Sequence, residues 1–126
     1  EIPLPKQEVR IRALKADPWP DGERVRVYVE TDPFQYPPNL DLTILAANGR
    51  ELSNISIIES MTRKMEMTMH ILEPVVGSSC QLKVSLFYYR EVGGSETSQP
   101  DHNELMVVDR SSLEFIIPVR ENSAGE

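Results

Sequence analysis

Residues 65–71 read Met65-Glu66-Met67-Thr68-Met69-His70-Ile71, with an apolar side chain at every odd position and a polar one between. Alternation with period two marks a strand with one dry face and one wet face, because successive side chains leave a pleated backbone on opposite sides. A helical register competes for the same residues: Ile57, Met61, Met65 and Met69 recur at i, i+4, and methionine is a good helix former. A helix over 57–72 leaves Met67 and Ile71 off its stripe, whereas a strand takes all four apolar residues of 65–71 on one face. The strand is therefore the better reading. Glu73-Pro74 ends either element, since the residue before a proline is pushed out of the helical region.

The same alternation recurs along the chain. Residues 7–15 place Val9, Ile11 and Ala13 inward and Arg10 and Arg12 outward. Residues 23–31 place Val25, Val27 and Val29 inward and Arg24, Arg26 and Tyr28 outward. Between them, Asp17-Pro18-Trp19-Pro20-Asp21-Gly22 is a turn in which two prolines fix φ and Gly22 supplies a positive one. Residues 32–39 form a proline-rich crossing with Phe34 and Tyr36. A third strand, 40–46, carries Leu40, Leu42 and Ile44. Asn48-Gly49 predicts a tight hairpin into a fourth strand at 51–58. Residues 80–89 put Cys80, Leu82, Val84, Leu86 and Tyr88 on one face. The seventh strand lies within 105–119, with a break expected near Asp109-Arg110-Ser111-Ser112.

About seven short strands with turn signals between them predict an all-β, antiparallel sandwich in a single domain over 1–126. Residues 1–6 are expected as an extended lead-in, and 120–126 as a mobile tail. In strand count and alternation, and in Gly77-Ser78-Ser79-Cys80-Gln81-Leu82-Lys83-Val84 as the entry to the sixth strand, the chain resembles immunoglobulin-like and fibronectin-type-III-like domains. Such domains often carry a tyrosine where Cys80 stands, and the Cys…Trp…Cys spacing of antibody domains is absent. The resemblance implies that strands three, six and seven share one sheet. A C2-like sandwich of eight strands is the alternative.

No apolar run approaches the ~20 residues that span a bilayer as a helix. A formal net charge of −7 argues against nucleic acid as a partner. The one cysteine excludes an internal disulfide and leaves the compartment open. Starting at Glu1 rather than at methionine, the chain reads as a processed form or a domain of a larger protein.

Chemistry-bearing patterns are sparse. His70 and Glu66 on one strand face are ~13 Å apart by rise alone, too far to share a metal, so His70 is expected as a surface residue. Asp101-His102-Asn103-Glu104 is oxygen-rich but lacks the glycine and spacing of a calcium loop. A C2-like calcium site would need Asp17, Asp21 and Asp32 to converge with Asp101. Cys80 faces inward with no basic neighbour and is expected to be a buried, inert thiol. Asn54-Ile55-Ser56 forms a glycosylation triplet. Trp19 is expected to fold over an open end of the sandwich, and the methionine row to pack in the core. Neither a catalytic set nor a cofactor or metal site is expected, and an interaction or structural module is the functional reading. Calcium-dependent lipid or carbohydrate binding is the alternative.

Two surfaces stand out as partner sites. With the first two strands in the register that sets Arg12 opposite Arg24, residues Arg10, Arg12, Arg24 and Arg26 form a basic patch that suits an anion. Leu45, Phe87, Tyr89 and Ile116 point outward from the sheet of strands three, six and seven. A contiguous apolar patch there predicts a homodimer or a protein-docking face.

Overall fold

The computed structural model describes residues 2–72, 77–91 and 103–119. The expected 93–100 loop, Asp101, His102 and the 120–126 tail lie outside them. Seven strands follow a single 3-10 turn, η1 (Lys6–Glu8): β1 (Ile11–Pro18), β2 (Arg24–Thr31), β3 (Asn39–Ala46), β4 (Glu51–Ile57), β5 (Lys64–His70), β6 (Ser79–Glu91) and β7 (Asn103–Ile116). They build two antiparallel sheets, ordered β1-β2-β5 and β4-β3-β6-β7. The result is a seven-stranded β-sandwich.

The 65–71 alternation becomes the edge strand β5. Val25 lies opposite Met69, Val27 opposite Met67 and Val29 opposite Met65, so two apolar rows merge into one inner face. Met65, Met69 and Ile71 are buried with Val25, Val27 and Val29. Met67 is only half-buried and packs against that cluster from the sheet's open edge. From the other sheet Leu40, Leu42, Ile44, Cys80, Leu82 and Val84 close the core. Cys80 takes its place there as a small hydrophobe, and burial pushes its thiol pKa up. Leu86 and Tyr88 join Val9 in a second, smaller cluster roofed by Leu4 and Phe34. The lead-in is tied down there: the Leu4 amide donates to Pro33 O at 3.0 Å and the Gln35 amide to Leu4 O at 2.9 Å.

Two bulges change what strict alternation predicts. The β1–β2 register shifts between Ile11 and Ala13, so Leu14 and Ala16 take the inner positions and Ala13 turns out. The strand expected at 7–15 accordingly starts at Ile11. Ahead of it, Pro5 favours a tight turn in which the Glu8 amide donates to Pro5 O at 2.9 Å. In β7, Leu86 pairs with Asp109 but Phe87 with Val107, which leaves Val108 as the extra residue. The break expected near 109–112 is thus one bulge in a continuous strand.

The Asn48-Gly49 hairpin forms, with residues 47–49 as its loop: Ala46 N donates to Arg50 O at 2.8 Å, and Gly49 sits at φ 90°. Trp19 does not cover the core. It is half-buried, stacked beneath Arg24 with the guanidinium carbon 4.1 Å from the ring centroid, because the Asp21 carboxylate holds Arg24 over it at 2.7 Å.

Candidate functional site

The outer face of the four-stranded sheet carries a polar middle between two apolar ends. Its cross-strand rows follow from the register. Asn39 pairs with Phe87, and Phe87 with Val107; one step outward, Tyr89 pairs with Leu105. Phe87 and Tyr89 meet edge to face, with centroids 5.6 Å apart and planes at 89°. Tyr89 is 46% exposed, Leu105 49% and Ile58, just past the end of β4, 60%. The buried Asn39 ties β6 to the segment that follows β4. Asn39 Nδ2 donates to Phe87 O at 3.2 Å, and Asn39 Oδ1 accepts from the Glu59 amide at 2.8 Å. That bond holds Glu59 at φ 52°, the one positive φ outside glycine among the described residues.

This placement corrects the predicted patch. Leu45 lies opposite Gln81 and Ile116 opposite Ser79, at the far end of β6 from Phe87. Six residue steps along the strand separate Gln81 from Phe87, ~20 Å by rise. The four predicted residues therefore do not adjoin. Phe87 is also only 7% exposed, so it supports Tyr89 rather than presenting its own ring. Leu105 was not legible as the neighbour of Tyr89, because its position depends on the bulge in β7. Outward parity at Leu105, opposite the end of the sixth strand, was the available signal.

In the middle of the same face, Asp41, Thr43, Lys83, Ser85, Arg110 and Ser112 line a shallow depression of about 480 Å³. Asn54 Nδ2 donates to Thr43 Oγ1 at 2.9 Å, and Ser56 Oγ to Asp41 Oδ1 at 3.0 Å, which fixes the β3 wall.

The other sheet separates the arginines expected to cluster. Arg26 lies opposite Asp17 and Val29 opposite Leu14, so the register that would set Arg12 against Arg24 does not occur. The β1 bulge leaves Arg12 beside Asp32, at the opposite end of β2 from Arg24, ~23 Å away by rise. Arg12 Nε reaches Asp32 Oδ1 at 2.7 Å, Arg24 pairs with Asp21 at 2.7 Å, and Arg26 approaches Glu66 at 3.7 Å. Arg10 Nη1 donates to Gln7 O at 2.8 Å. Like charges are thus kept apart, and carboxylates offset three of the four arginines.

The hydrogen bond from Arg12, joined by the Arg10 amide, holds the Asp32 carboxyl below its ordinary range. At the other end, the Glu23 amide and Arg24 lower that of Asp21. Asp32 and the Asp17–Asp21 pair therefore flank opposite ends of β2, so the three described aspartates that the alternative calcium site would need do not converge. Among the described residues no group of three His, Cys, Asp or Glu side chains is placed to hold a metal. His70 lies opposite Arg24 and is exposed. No helix of the described residues is long and apolar enough to cross a membrane.

No protein-family model matches the chain, and no curated protein matches it. Solved structures do resemble it in fold. A glycosyl hydrolase family 2 member from Bacteroides cellulosilyticus superposes with a TM-score of 0.56 at 13% identity, over 86% of this chain and 14% of that one. A beta-glucuronidase from Bifidobacterium dentium gives 0.54 at 13% identity, over 86% of this chain and 18% of that one. The Lactobacillus rhamnosus beta-glucuronidase gives 0.53 at 12% identity, over 87% and 16%. This chain spans about a sixth of the length of those proteins, and what it shares with them is the antiparallel β-sandwich.

Proposed function

We propose that the chain is a non-catalytic interaction module, an immunoglobulin-like domain of a longer protein, which docks a second copy of itself through one end of its four-stranded sheet. The observation that carries this reading is the exposed apolar pair of Tyr89 and Leu105, seated on the buried Phe87. Scattered apolar residues on a surface need no explanation, but a contiguous group around an aromatic pair has the make-up of an interface anchor. These side chains are uncharged in a chain of net charge −7. The fold likeness supports the larger-protein half of the reading, since the similar segments are small parts of long glycosidase chains.

Sedimentation velocity over a rising concentration series tests the docking. A concentration-dependent dimer is expected, and Leu105→Asp should return it to monomer with its melting temperature unchanged. A wild type that stays monomeric at every concentration refutes the docking. Release of nitrophenol from a nitrophenyl glucuronide by the isolated chain refutes the non-catalytic half.

A further inference from the structure

We propose that the polar depression between β3, β6 and β7 binds a tetrahedral oxyanion, a sulfate or phosphate group, through Lys83 and Arg110. In the register of β6 and β7, Lys83 is opposite Ser112 and Arg110 is opposite Ser85. The two cations are therefore diagonal neighbours on one face, with Cβ atoms ~7 Å apart, and their long side chains can converge on one group. Like charges at this spacing repel unless something between them supplies the opposite sign.

Elsewhere on the described surface most of the bases are engaged. Arg12, Arg24, Arg26 and Arg63 pair with carboxylates, and Lys6 and Lys15 lie over tyrosine rings. Lys83 and Arg110 take part in none of these contacts among the described residues. Two carboxylates share this face, Asp41 opposite Ser85 and Glu114 opposite Gln81, each diagonal to Lys83 and neither diagonal to Arg110, while Asp109 pairs with Leu86 and lies on the other face. Asp41 accepts from Ser56 and Asn54 through Oδ1 alone. Asp109 has both oxygens committed, one to the Arg110 amide at 2.9 Å and the other to the Ile11 amide at 2.9 Å.

Between the two cations stand the hydroxyls of Ser85 and Ser112, with Thr43 on the opposite side of Lys83. A guanidinium fork, an ammonium and two or three hydroxyls supply several donors, which suits an anion with oxygens on every side. The site shares no residue with the apolar pair of Tyr89 and Leu105, so it stands or falls independently of self-docking.

The test is an amide chemical-shift titration with sodium sulfate and with sodium phosphate, against sodium chloride at matched ionic strength. Saturable shifts are expected at Ser85, Arg110 and Ser112 with either oxyanion and not with chloride. Lys83→Gln should weaken the apparent affinity at least tenfold, and the double variant with Arg110→Gln should abolish saturation. Both side chains are exposed, so melting should be unchanged. Arg26→Gln, on the other sheet, should leave binding intact. Shifts that match those in chloride, that survive in the double variant, or that fall equally in Arg26→Gln overturn the proposal.

Discussion

Truncating the three methionines around β5 one at a time separates the strand from the helical register that the same spacing permits. Met69 has no exposed surface, lies opposite Val25 and touches the main cluster. Met69→Ala removes buried atoms and leaves a cavity, a loss of about 2–5 kcal/mol. Met67 is half-buried at the sheet edge, so Met67→Ala removes less buried surface and should cost roughly 1–2 kcal/mol. Met61, which a helical stripe would bury beside Met65 and Met69, is 84% exposed, and Met61→Ala should stay within about 0.5 kcal/mol of wild type. Urea melts followed by the fluorescence of the single tryptophan read all three. With a slope of about 1–3 kcal/mol per molar urea, a loss of about 3 kcal/mol moves the midpoint by roughly 1–3 M. The reasoning fails if Met61→Ala costs as much as Met69→Ala, or if Met69→Ala lies within about 0.5 kcal/mol of wild type.

Three further outcomes follow from the hydrogen bonds. The folded-state pKa of Asp32 is lowered, chiefly by the bond from Arg12, so its contribution is present above the unfolded value of about 3.9 and is lost as pH falls through the folded one. Asp32→Asn should therefore flatten the acid limb of a stability–pH profile below about pH 4, and an unchanged limb would contradict the pairing. Burial pushes the Tyr88 phenol up to about 12, while its hydroxyl donates to Tyr36 O at 2.9 Å. Ultraviolet titration should show one tyrosine ionising near there and absent in Tyr88→Phe, with the stability it contributes present below pH ~10 and lost as pH climbs through the folded value. Asp109→Ala leaves the Ile11 amide without its acceptor, at a cost of about 1–3 kcal/mol, and hydrogen exchange at Ile11 should quicken markedly.

Period-two patterning was enough to find the seven strands, the all-β class and most of the core. Val27, Leu42, Ile44, Met69, Leu82 and Val84 are all buried as their alternation requires, because a strand's facing is a local property of the pleat. The hairpin at Asn48-Gly49 was equally legible, since glycine takes the positive φ that the turn demands. Tertiary structure decided the rest. Register between strands is a cooperative outcome of both faces, and a bulge of a single residue reverses facing without any mark in the sequence. The bulge in β1 sent Ala13 outward and moved Arg12 to Asp32, which dissolved the expected arginine patch. The bulge in β7 set Leu105 opposite Tyr89, and the registers of β3, β6 and β7 left Leu45 and Ile116 at the other end and brought Lys83 diagonal to Arg110. Which side chains share a face is written locally, but which strands meet, and at which residue, is fixed only when both sheets close on one core.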